Sequence, residues 1–324
     1  MTEIWLPLAG GLLLLILGGD LLVRGAVRVA ERLGVSPLVI GLTLVGFGTS
    51  MPELVTSVQA ALSGAPGIAW GNIVGSNIAN ILLIGGVSAL VFPIVVAAPA
   101  LKRDAGVMLA VAAGFTALAV LVPMSRGLGA AFLMALAAYT ALAFRQERTA
   151  NGGALHNKEI ALEAVDPALT PGTARPVGLL VPLLFTLAGL ALVIGGGAAL
   201  VRGAVALAQS FAIPETVIGL TIVAIGTSMP ELVTSVMAAL RRQGDVAFGN
   251  IIGSNIINIL GIGGVTALIA PTPVPAAIAT FDAPVMLAVT ALFVLVAATG
   301  LRIARWEGAL LLTGYAAYLA VIWP

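Results

Sequence analysis

GLTLVGFGTSMPELVTSVQAALSGAPGIAWGNIVGSNIANI, residues 41–81, occurs a second time in this chain with few changes. The second copy, GLTIVAIGTSMPELVTSVMAALRRQGDVAFGNIIGSNIINI, covers residues 219–259, and 28 of the 41 aligned positions are identical at a constant shift of 178. Each copy places one glutamate, Glu53 or Glu231, inside a long apolar stretch. An ionisable side chain at that depth is costly and therefore usually functional. Two such segments in the two halves of a membrane chain predict a binding site between them.

The composition around these copies is that of a membrane protein. The chain has 324 residues, of which 60% are hydrophobic and only 9% charged, whereas soluble domains average about 25% charged residues. Since a transmembrane helix needs about 20 apolar residues, the sequence predicts an all-α integral membrane protein with ten transmembrane helices, five in each half. The predicted spans are 3–29, 37–62, 69–91, 105–121, 128–144, 178–209, 216–240, 247–270, 281–298 and 304–322.

Several functional classes are excluded by what the sequence contains. The net charge of +1 is too balanced for a nucleic-acid partner, and the absence of cysteine rules out a disulfide framework or a thiolate metal site. We find no phosphate-binding loop, nucleophile–base pair or histidine cluster, so we expect neither an enzyme nor a bound cofactor. The lipid bilayer is an expected partner, and no obligate protein partner is indicated.

The distribution of basic residues predicts the orientation in the cell membrane. Thirteen basic residues lie at the turns after odd-numbered spans, and only Arg126 and Arg202 lie on the other side. The positive-inside rule makes the thirteen cytoplasmic and both termini extracellular or periplasmic. Because five spans per half is an odd number, the halves are predicted to be inverted repeats, 1–145 and 178–324, joined by a cytoplasmic linker, 146–177. The thirteen are Arg24, Arg28, Arg32, Lys102, Arg103, Arg145, Arg148, Lys158, Arg175, Arg241, Arg242, Arg302 and Arg305.

A proline one residue before each glutamate predicts that spans 2 and 7 are broken. Pro52 lacks an N–H group, and its ring pushes aside the carbonyl of the preceding turn. The expected result is an unwound turn with free carbonyls, beside the hydroxyl pairs Thr49–Ser50 and Thr227–Ser228. Such a cluster of hard oxygen donors suits sodium and calcium. The alternative is a capping box, in which Ser50 and Glu53 only satisfy a helix start.

The following spans carry a second polar set. Asn72, Ser76 and Asn80 are four residues apart, so they share one helix face. We interpret Ser76, Asn80 and their equivalents Ser254 and Asn258 as candidate ligands. The asparagines at positions 72, 77, 250 and 255 are more consistent with a structural role. The alternative for the whole set is polar contact between helices that approach closely through G-x-x-x-G motifs.

The segments GTSMPELVTS and GNIVGSNIANI, with their second copies GTSMPELVTS and GNIIGSNIINI, resemble the two alpha-repeats of the cation/calcium exchanger superfamily, most closely its prokaryotic sodium/calcium exchangers. This resemblance implies a ten-helix fold with inverted halves and ion sites between spans 2, 3, 7 and 8. It implies that Glu53 and Glu231 are central ligands shared between calcium and sodium. It also implies hydroxyl ligands at Thr49, Ser50, Thr227 and Ser228, support of outer sodium sites by Ser76 and Ser254, and backbone ligands at the Gly46 and Ala224 carbonyls.

One position bears on the ions that are exchanged. Some relatives, including the potassium-dependent branch, carry Asp where this chain has Asn258, and Asn80 is neutral as well. Two carboxylates balance one calcium ion, which favours potassium-independent sodium/calcium antiport by alternating access. A proton/calcium exchanger, or an exchanger of another divalent cation, remains an alternative. A cation channel and a non-transporting membrane sensor are further alternatives.

Overall fold

The structure, a computed structural model, describes residues 2–32, 48–96, 101–147, 180–240, 242 and 244–324, and these residues are almost entirely helical. Two short strands, β1 (Ile94–Val95) and β2 (Arg302–Ile303), pair antiparallel with Ile94 opposite Ile303. The helices are α1 (Thr2–Arg32), α2 (Met51–Leu62), α3 (Pro66–Val91), α4 (101–121), α5 (Arg126–Glu147), α6 (Leu180–Phe211), α7 (Glu215–Thr227), α8 (Met229–Leu240), α9 (244–269), α10 (Ile278–Ala298) and α11 (Arg305–Ile322).

The lengths and hydropathy of these helices make the protein a multi-pass membrane protein. Within the described residues, seven helices are long and apolar enough to cross a membrane, or eight when α7 and α8 count as one bent span. The predicted linker and the first part of predicted span 2, including Gly46, lie outside the described residues. The predicted count of ten spans and their division at 145 and 178 therefore stay predictions.

The helices α3 and α9 form the centre of the molecule. Of their most apolar windows, 83% and 89% is buried, against 28–33% for the other single-helix spans that the structure describes. Each of the two helices widens into a π-helical turn at the same place in its copy, Asn80–Ile84 in α3 and Ile257–Gly263 in α9. Such turns are rare and are frequent at functional sites. The polar faces of the repeated segment are thus held in the most enclosed part of the fold.

The helices α1 and α6 run antiparallel with their backbones in contact along a glycine seam. We define the seam as Gly11, Gly18 and Gly25 on α1 and Gly189, Gly196 and Gly203 on α6, which are the same positions shifted by 178. A Cβ atom at Gly11 would lie 2.7 Å from the Gly196 carbonyl oxygen, and one at Gly18 would lie 3.0 Å from the Gly189 carbonyl oxygen. Only glycine permits so close an approach of two helix backbones.

A second set of helix contacts also recurs between the halves. At the end of α3, Gly86 contacts Gly308 of α11, and at the end of α9, Gly264 contacts Gly129 of α5. A Cβ atom at Gly86 would lie 2.9 Å from the Gly308 carbonyl oxygen, and one at Gly129 would lie 2.7 Å from the Gly264 carbonyl oxygen. Each central helix is therefore fixed against the last helix of the opposite half by the same backbone contact.

Two arginines cap the ends of the central helices in the same way. Arg126 Nε donates to the Leu268 carbonyl at the end of α9 (3.2 Å), and Arg305 Nη2 donates to the Val91 carbonyl at the end of α3 (3.2 Å). The negative end of a helix dipole favours a cation at this position. The two arginines are 179 residues apart, so the repeat extends beyond the segment that the sequence comparison aligned.

The chain bends where the sequence predicts a break in span 7, but it does not unwind there, and the broken spans 2 and 7 stay predictions. Helices α7 and α8 are bent by 49° at Ser228, whereas Ala224–Thr227 remains helical. The Ser228 N–H group still donates to the Ala224 carbonyl (3.1 Å), so Pro230 interrupts the helix without unwinding a whole turn. In the first copy, Ser50 has nearly the same backbone angles (φ −85°, ψ 7°) as Ser228 (φ −81°, ψ 8°).

Candidate ion-binding site

Two glutamates lie at the breaks and are linked across the two halves. Glu53 on α2 and Glu231 on α8 are only 1% and 2% exposed. Ser50 Oγ donates to Glu231 Oε1 (3.2 Å), and Ser228 Oγ donates to Glu53 Oε1 (3.0 Å). Hydrogen bonds to a carboxylate are stronger than bonds between neutral groups. Each half thus supplies the serine that stabilises the carboxylate of the other half, and the two carboxylates form one centre.

The capping-box alternative does not account for these serines. Ser50 occupies the N-cap position of α2, but its side chain makes no capping hydrogen bond to the helix. The hydroxyl is instead directed to the glutamate of the opposite copy. One half of a capping box does occur elsewhere, where Glu307 accepts a bond from the Ala304 N–H group (2.7 Å), although Ala304 has no side-chain oxygen to complete it. The serine and the glutamate of the repeated motif are therefore used for contact between the halves.

Asn72 and Asn250 hold the backbone of each glutamate. Asn72 Nδ2 donates to the Glu53 carbonyl (3.2 Å) and to Ser57 Oγ (2.9 Å). Asn250 makes the same two bonds in the other half, to the carbonyl of the equivalent glutamate (3.4 Å) and to Ser235 Oγ (2.8 Å). Since all these groups are buried, the bonds fix the backbone position from which each glutamate side chain extends. The structural role that the sequence predicts for these two asparagines is observed.

The two threonines of the motif are both buried but have different partners. Thr227 Oγ1 lies within hydrogen-bond distance of Asn72 Oδ1 in the opposite half (2.9 Å) and of the Val223 carbonyl of its own helix (3.0 Å). Thr49 Oγ1 is buried with no hydrogen-bond partner among the described residues. The Ala224 carbonyl accepts the Ser228 N–H group and retains a second lone pair, since a carbonyl oxygen has two.

The remaining candidate ligands also face the interior. Asn80 Nδ2 donates to Asn255 Oδ1 (3.1 Å), which joins α3 to α9, and Asn255 Nδ2 contacts Met108 Sδ (3.6 Å). In the part of the chain that the structure describes, the Oδ1 atoms of Asn80 and Asn258 have no hydrogen-bond partner. Asn77 instead donates to its own helix. The candidates on α3 and α9 are each at most 1% exposed: Ser76, Asn80, Ser254 and Asn258.

The charge of this centre comes from the two glutamates. Among the described residues, no three His, Cys, Asp or Glu side chains lie close enough together to form a metal site, and residues 33–47 contain no acidic residue. The centre therefore combines two negative charges with neutral hydroxyl, amide and carbonyl oxygens. Oxygen donors of this kind bind hard cations. A divalent cation, or an equal charge of monovalent cations, would neutralise it.

A cavity of about 100 Å³ lies beside the centre, between α2, α5 and α9. Ser50, which bonds to Glu231, lies on its wall, but the surface that lines the cavity is apolar. The principal lining residues are Ser50, Met51, Leu54, Leu133, Leu136 and Ile257.

Two buried aspartates outside the centre were not assigned a role by the sequence. Asp104 accepts a bond from Tyr139 (3.1 Å), and Asp282 accepts one from Tyr318 (2.9 Å). Their exposed fractions are 0% and 3%, so both aspartates are enclosed by the fold. Among the described residues, only the first pair includes a cation, since Arg103 Nε also bonds Asp104 (2.6 Å). The aspartates are 178 residues apart and the tyrosines 179, so the two pairs are equivalent in the repeat.

Together, the long apolar helices and the buried carboxylate centre between two matching halves define an ion-transport protein of the membrane. A family model described as sodium/calcium exchanger protein matches residues 3–145 and 181–323. The chain belongs to this sodium/calcium exchanger family.

Individual relatives support the assignment along the whole chain. The sodium/calcium exchanger MaX1 of Methanosarcina acetivorans is 38% identical over 99% of both chains. The putative antiporter CaxA of Alkalimonas amylolytica is 40% identical over 95% of both. Among solved structures, the sodium-calcium exchanger NCX_Mj soaked with 10 mM Na+ and zero Ca2+ has a TM-score of 0.61 and 31% identity, covering 97% of each chain.

Proposed function

We propose that this protein is a sodium/calcium antiporter that moves calcium in exchange for sodium at the centre formed by Glu53 and Glu231. The observation that carries the proposal is the reciprocal pair of serine–glutamate bonds, which merges one carboxylate from each half into a single buried centre. Calcium or sodium ions would compete for the same two charges. Relatives along the full chain bear the name sodium/calcium exchanger.

The charge of the centre explains why the two fluxes would be coupled. Two uncompensated carboxylates in a low-dielectric interior are costly, so the empty centre disfavours the movement that carries it across the membrane. Occupation by calcium or by sodium removes that cost. Calcium can then cross in one direction only when sodium returns in the other, and a sodium gradient drives calcium transport.

The same proposal includes ten spans arranged as two inverted repeats. The antiparallel glycine seam supports it, because α1 and α6 are equivalent in sequence and run in opposite directions. The repeated arginine caps and the break at Ser228 have the positions that such a repeat requires. Inverted halves allow two states of similar energy, one open to each side. Alternating access between those states is the proposed mechanism, with the basic loops in the cytoplasm and both termini outside.

Within this mechanism the ligands are assigned by chemistry. Glu53 and Glu231 hold calcium and sodium alternately, and the neutral oxygens complete the coordination. Asn258 adds no charge, which supports exchange without potassium. The proposed neutral ligands are the side chains of Thr49, Ser50, Thr227, Ser228, Ser76, Ser254, Asn80 and Asn258 and the carbonyls of Gly46 and Ala224.

The decisive experiment is calcium uptake into proteoliposomes loaded with sodium. Uptake should follow the imposed sodium gradient and should be unchanged when potassium replaces choline on both sides. Uptake that ignores the sodium gradient but follows a pH gradient in sodium-free buffer would establish proton/calcium exchange instead. Single-channel currents in planar bilayers would establish a channel.

The orientation has a direct test because the chain contains no cysteine. One cysteine introduced at Gly300, in the turn that precedes β2, should be protected from a membrane-impermeant maleimide in intact cells. A cysteine at Gly127, at the start of α5, should react. The reverse pattern would overturn the proposed orientation without affecting the proposed exchange.

A further inference from the structure

The two halves differ in one contact although their sequences are the same there. In one half, Thr227 Oγ1 lies 2.9 Å from Asn72 Oδ1. The equivalent atoms, obtained by the shift of 178, are Thr49 Oγ1 and Asn250 Oδ1. Both are buried, and neither has a hydrogen-bond partner in the described residues. The contact that is made on one side of the centre is therefore absent on the other.

The orientation of the asparagines does not explain this difference. The Nδ2 atoms of Asn72 and Asn250 make the same two bonds, to the carbonyl of the nearby glutamate and to a serine hydroxyl. Each Oδ1 atom is thus presented in the same way. What differs is the place of the threonine, that is, of the break in α7 relative to α3 and of the Gly48–Ser50 turn relative to α9.

A second pair of side chains has the same asymmetry. Asn80 Nδ2 donates to Asn255 Oδ1 across the halves (3.1 Å). The equivalent bond would run from Asn258 Nδ2 to Asn77 Oδ1, and it is not made between these two described residues, whereas Asn77 Nδ2 donates to the Ile73 carbonyl of its own helix (2.7 Å). Two separate contacts are therefore one-sided, whereas the serine–glutamate bonds are present on both sides.

We infer that Asn72 and Asn250 are positioning residues that each stabilise one of the two transport states. In the state described, the Thr227–Asn72 bond is made and the Thr49–Asn250 bond is open. In the opposite state the inverted halves exchange roles, so the Thr49–Asn250 bond is made and the Thr227–Asn72 bond is broken. This inference rests on the proposed alternating access and specifies which side chains hold each end state.

The two asparagines allow a matched test in the cysteine-free background. Leu133 lines the cavity beside the centre, and it packs on Gly264 as Leu312 packs on the equivalent Gly86. The labelling rate of a cysteine at position 133 or 312 therefore reports the accessibility of equivalent positions on the two sides of the molecule. The measurement is the ratio of maleimide labelling rates, 133 over 312, in purified protein without sodium or calcium.

Asn72→Ala should lower this ratio by about fivefold, the population change expected from the loss of one net hydrogen bond, because only the described state uses the bond. Asn250→Ala should raise the ratio by a similar factor, because it weakens the opposite state. If Asn72→Ala fails to elute as a folded protein, Thr227→Val and Thr49→Val remove the same two bonds from the other partner. The expected directions are the same as for the asparagine on each side.

Shifts of the ratio in the same direction for both asparagines, or no shift in either, would overturn the inference, since a purely structural role affects both states alike. The labelling ratio requires no flux. Absence of sodium-driven calcium uptake in the unmodified chain would therefore count against the proposed function alone, and symmetric labelling against the positioning role alone.

Discussion

The serine–glutamate bonds and the threonine–asparagine contacts lie in the same buried centre but differ in symmetry. The first are present in both halves, at 3.2 and 3.0 Å. The second is present once, between Thr227 and Asn72. The comparison separates a symmetric part, the carboxylates with their serines, from the surrounding amides and hydroxyls, whose contacts are one-sided.

The largest effect should come from neutralising one carboxylate at a time. Glu53→Gln and Glu231→Gln should each reduce sodium-driven calcium uptake roughly 100-fold or more, because the one remaining carboxylate leaves a buried divalent cation with an uncompensated charge. The two losses should be equal if the centre is symmetric. The control is Glu307→Gln, which changes only the cap of α11 and should keep the uptake rate. Full activity in either carboxylate variant would show that the two glutamates do not form one shared centre.

Removing either serine hydroxyl should impair calcium uptake less than removing a carboxylate does. The effects of the two serine substitutions should be equal. Ser50→Ala and Ser228→Ala each remove one hydrogen bond to a carboxylate, which is worth about 1.5–3 kcal/mol. We expect the calcium concentration for half-maximal uptake to change by roughly tenfold or more in each variant. Ser125→Ala, at the start of α5 away from the centre, is the control. A change in one serine variant only would show that the carboxylates are not equivalent.

The glycine seam allows the two halves to be compared in their helix packing as well as in the carboxylate centre. Gly18→Ala would place a Cβ atom 2.8 Å from the Val193 backbone nitrogen, and Gly196→Ala would place one 2.8 Å from that of Leu15. Both variants should lose about 1–3 kcal/mol of stability, typical of overpacking, as measured by thermal unfolding in detergent. The neighbouring Gly19→Ala is the matched control, since nothing lies within 4 Å of its Cβ position. Equal melting temperatures for the Gly18 and Gly19 variants would contradict the seam.

The smallest effect should come from the buried tyrosine–aspartate pairs, and here we expect the halves to differ. Tyr318→Phe removes the tyrosine bond from an aspartate of α10 and should cost about 1–3 kcal/mol. Tyr139→Phe should cost less, because Arg103 still bonds the aspartate of α4. Tyr315→Phe should leave the melting temperature unchanged, since its hydroxyl has no hydrogen-bond partner in the described part. The reverse order of the two losses would show that the arginine does not compensate.

The structure brings together the glutamates and serines that the sequence singled out, because the repeat is local and nearly exact; their role as ion ligands stays a prediction. Glu53, Glu231 and the serines beside them lie where an apolar segment is interrupted, and burial of a carboxylate is visible from composition alone. The extent of the break was overestimated, because Pro230 removes one donor while the helix around Ala224 is maintained by tertiary packing. Such packing depends on contacts between segments that are distant in the sequence, and the local sequence pattern does not specify these contacts.

The glycine seam and the tyrosine–aspartate pairs were missed for a related reason. Their residues lie outside the aligned segment, and single glycines or aspartates carry little meaning unless they are compared with position 178 or 179 further on. The one-sided threonine–asparagine contact was beyond the reach of any sequence comparison. Identical motifs predict identical contacts, and the difference between them is a property of conformation.

The glycine seam has a consequence for the origin of the chain. Gly11 of α1 lies against Gly196 of α6, the counterpart of Gly18, and Gly18 lies against Gly189, the counterpart of Gly11. A half-length chain carrying only the first set would therefore present a surface complementary to an upside-down copy of itself. An ancestor inserted in both orientations could have assembled as a homodimer through this seam before gene duplication and fusion. Separately expressed halves of the present chain should retain enough of that complementarity to reassemble.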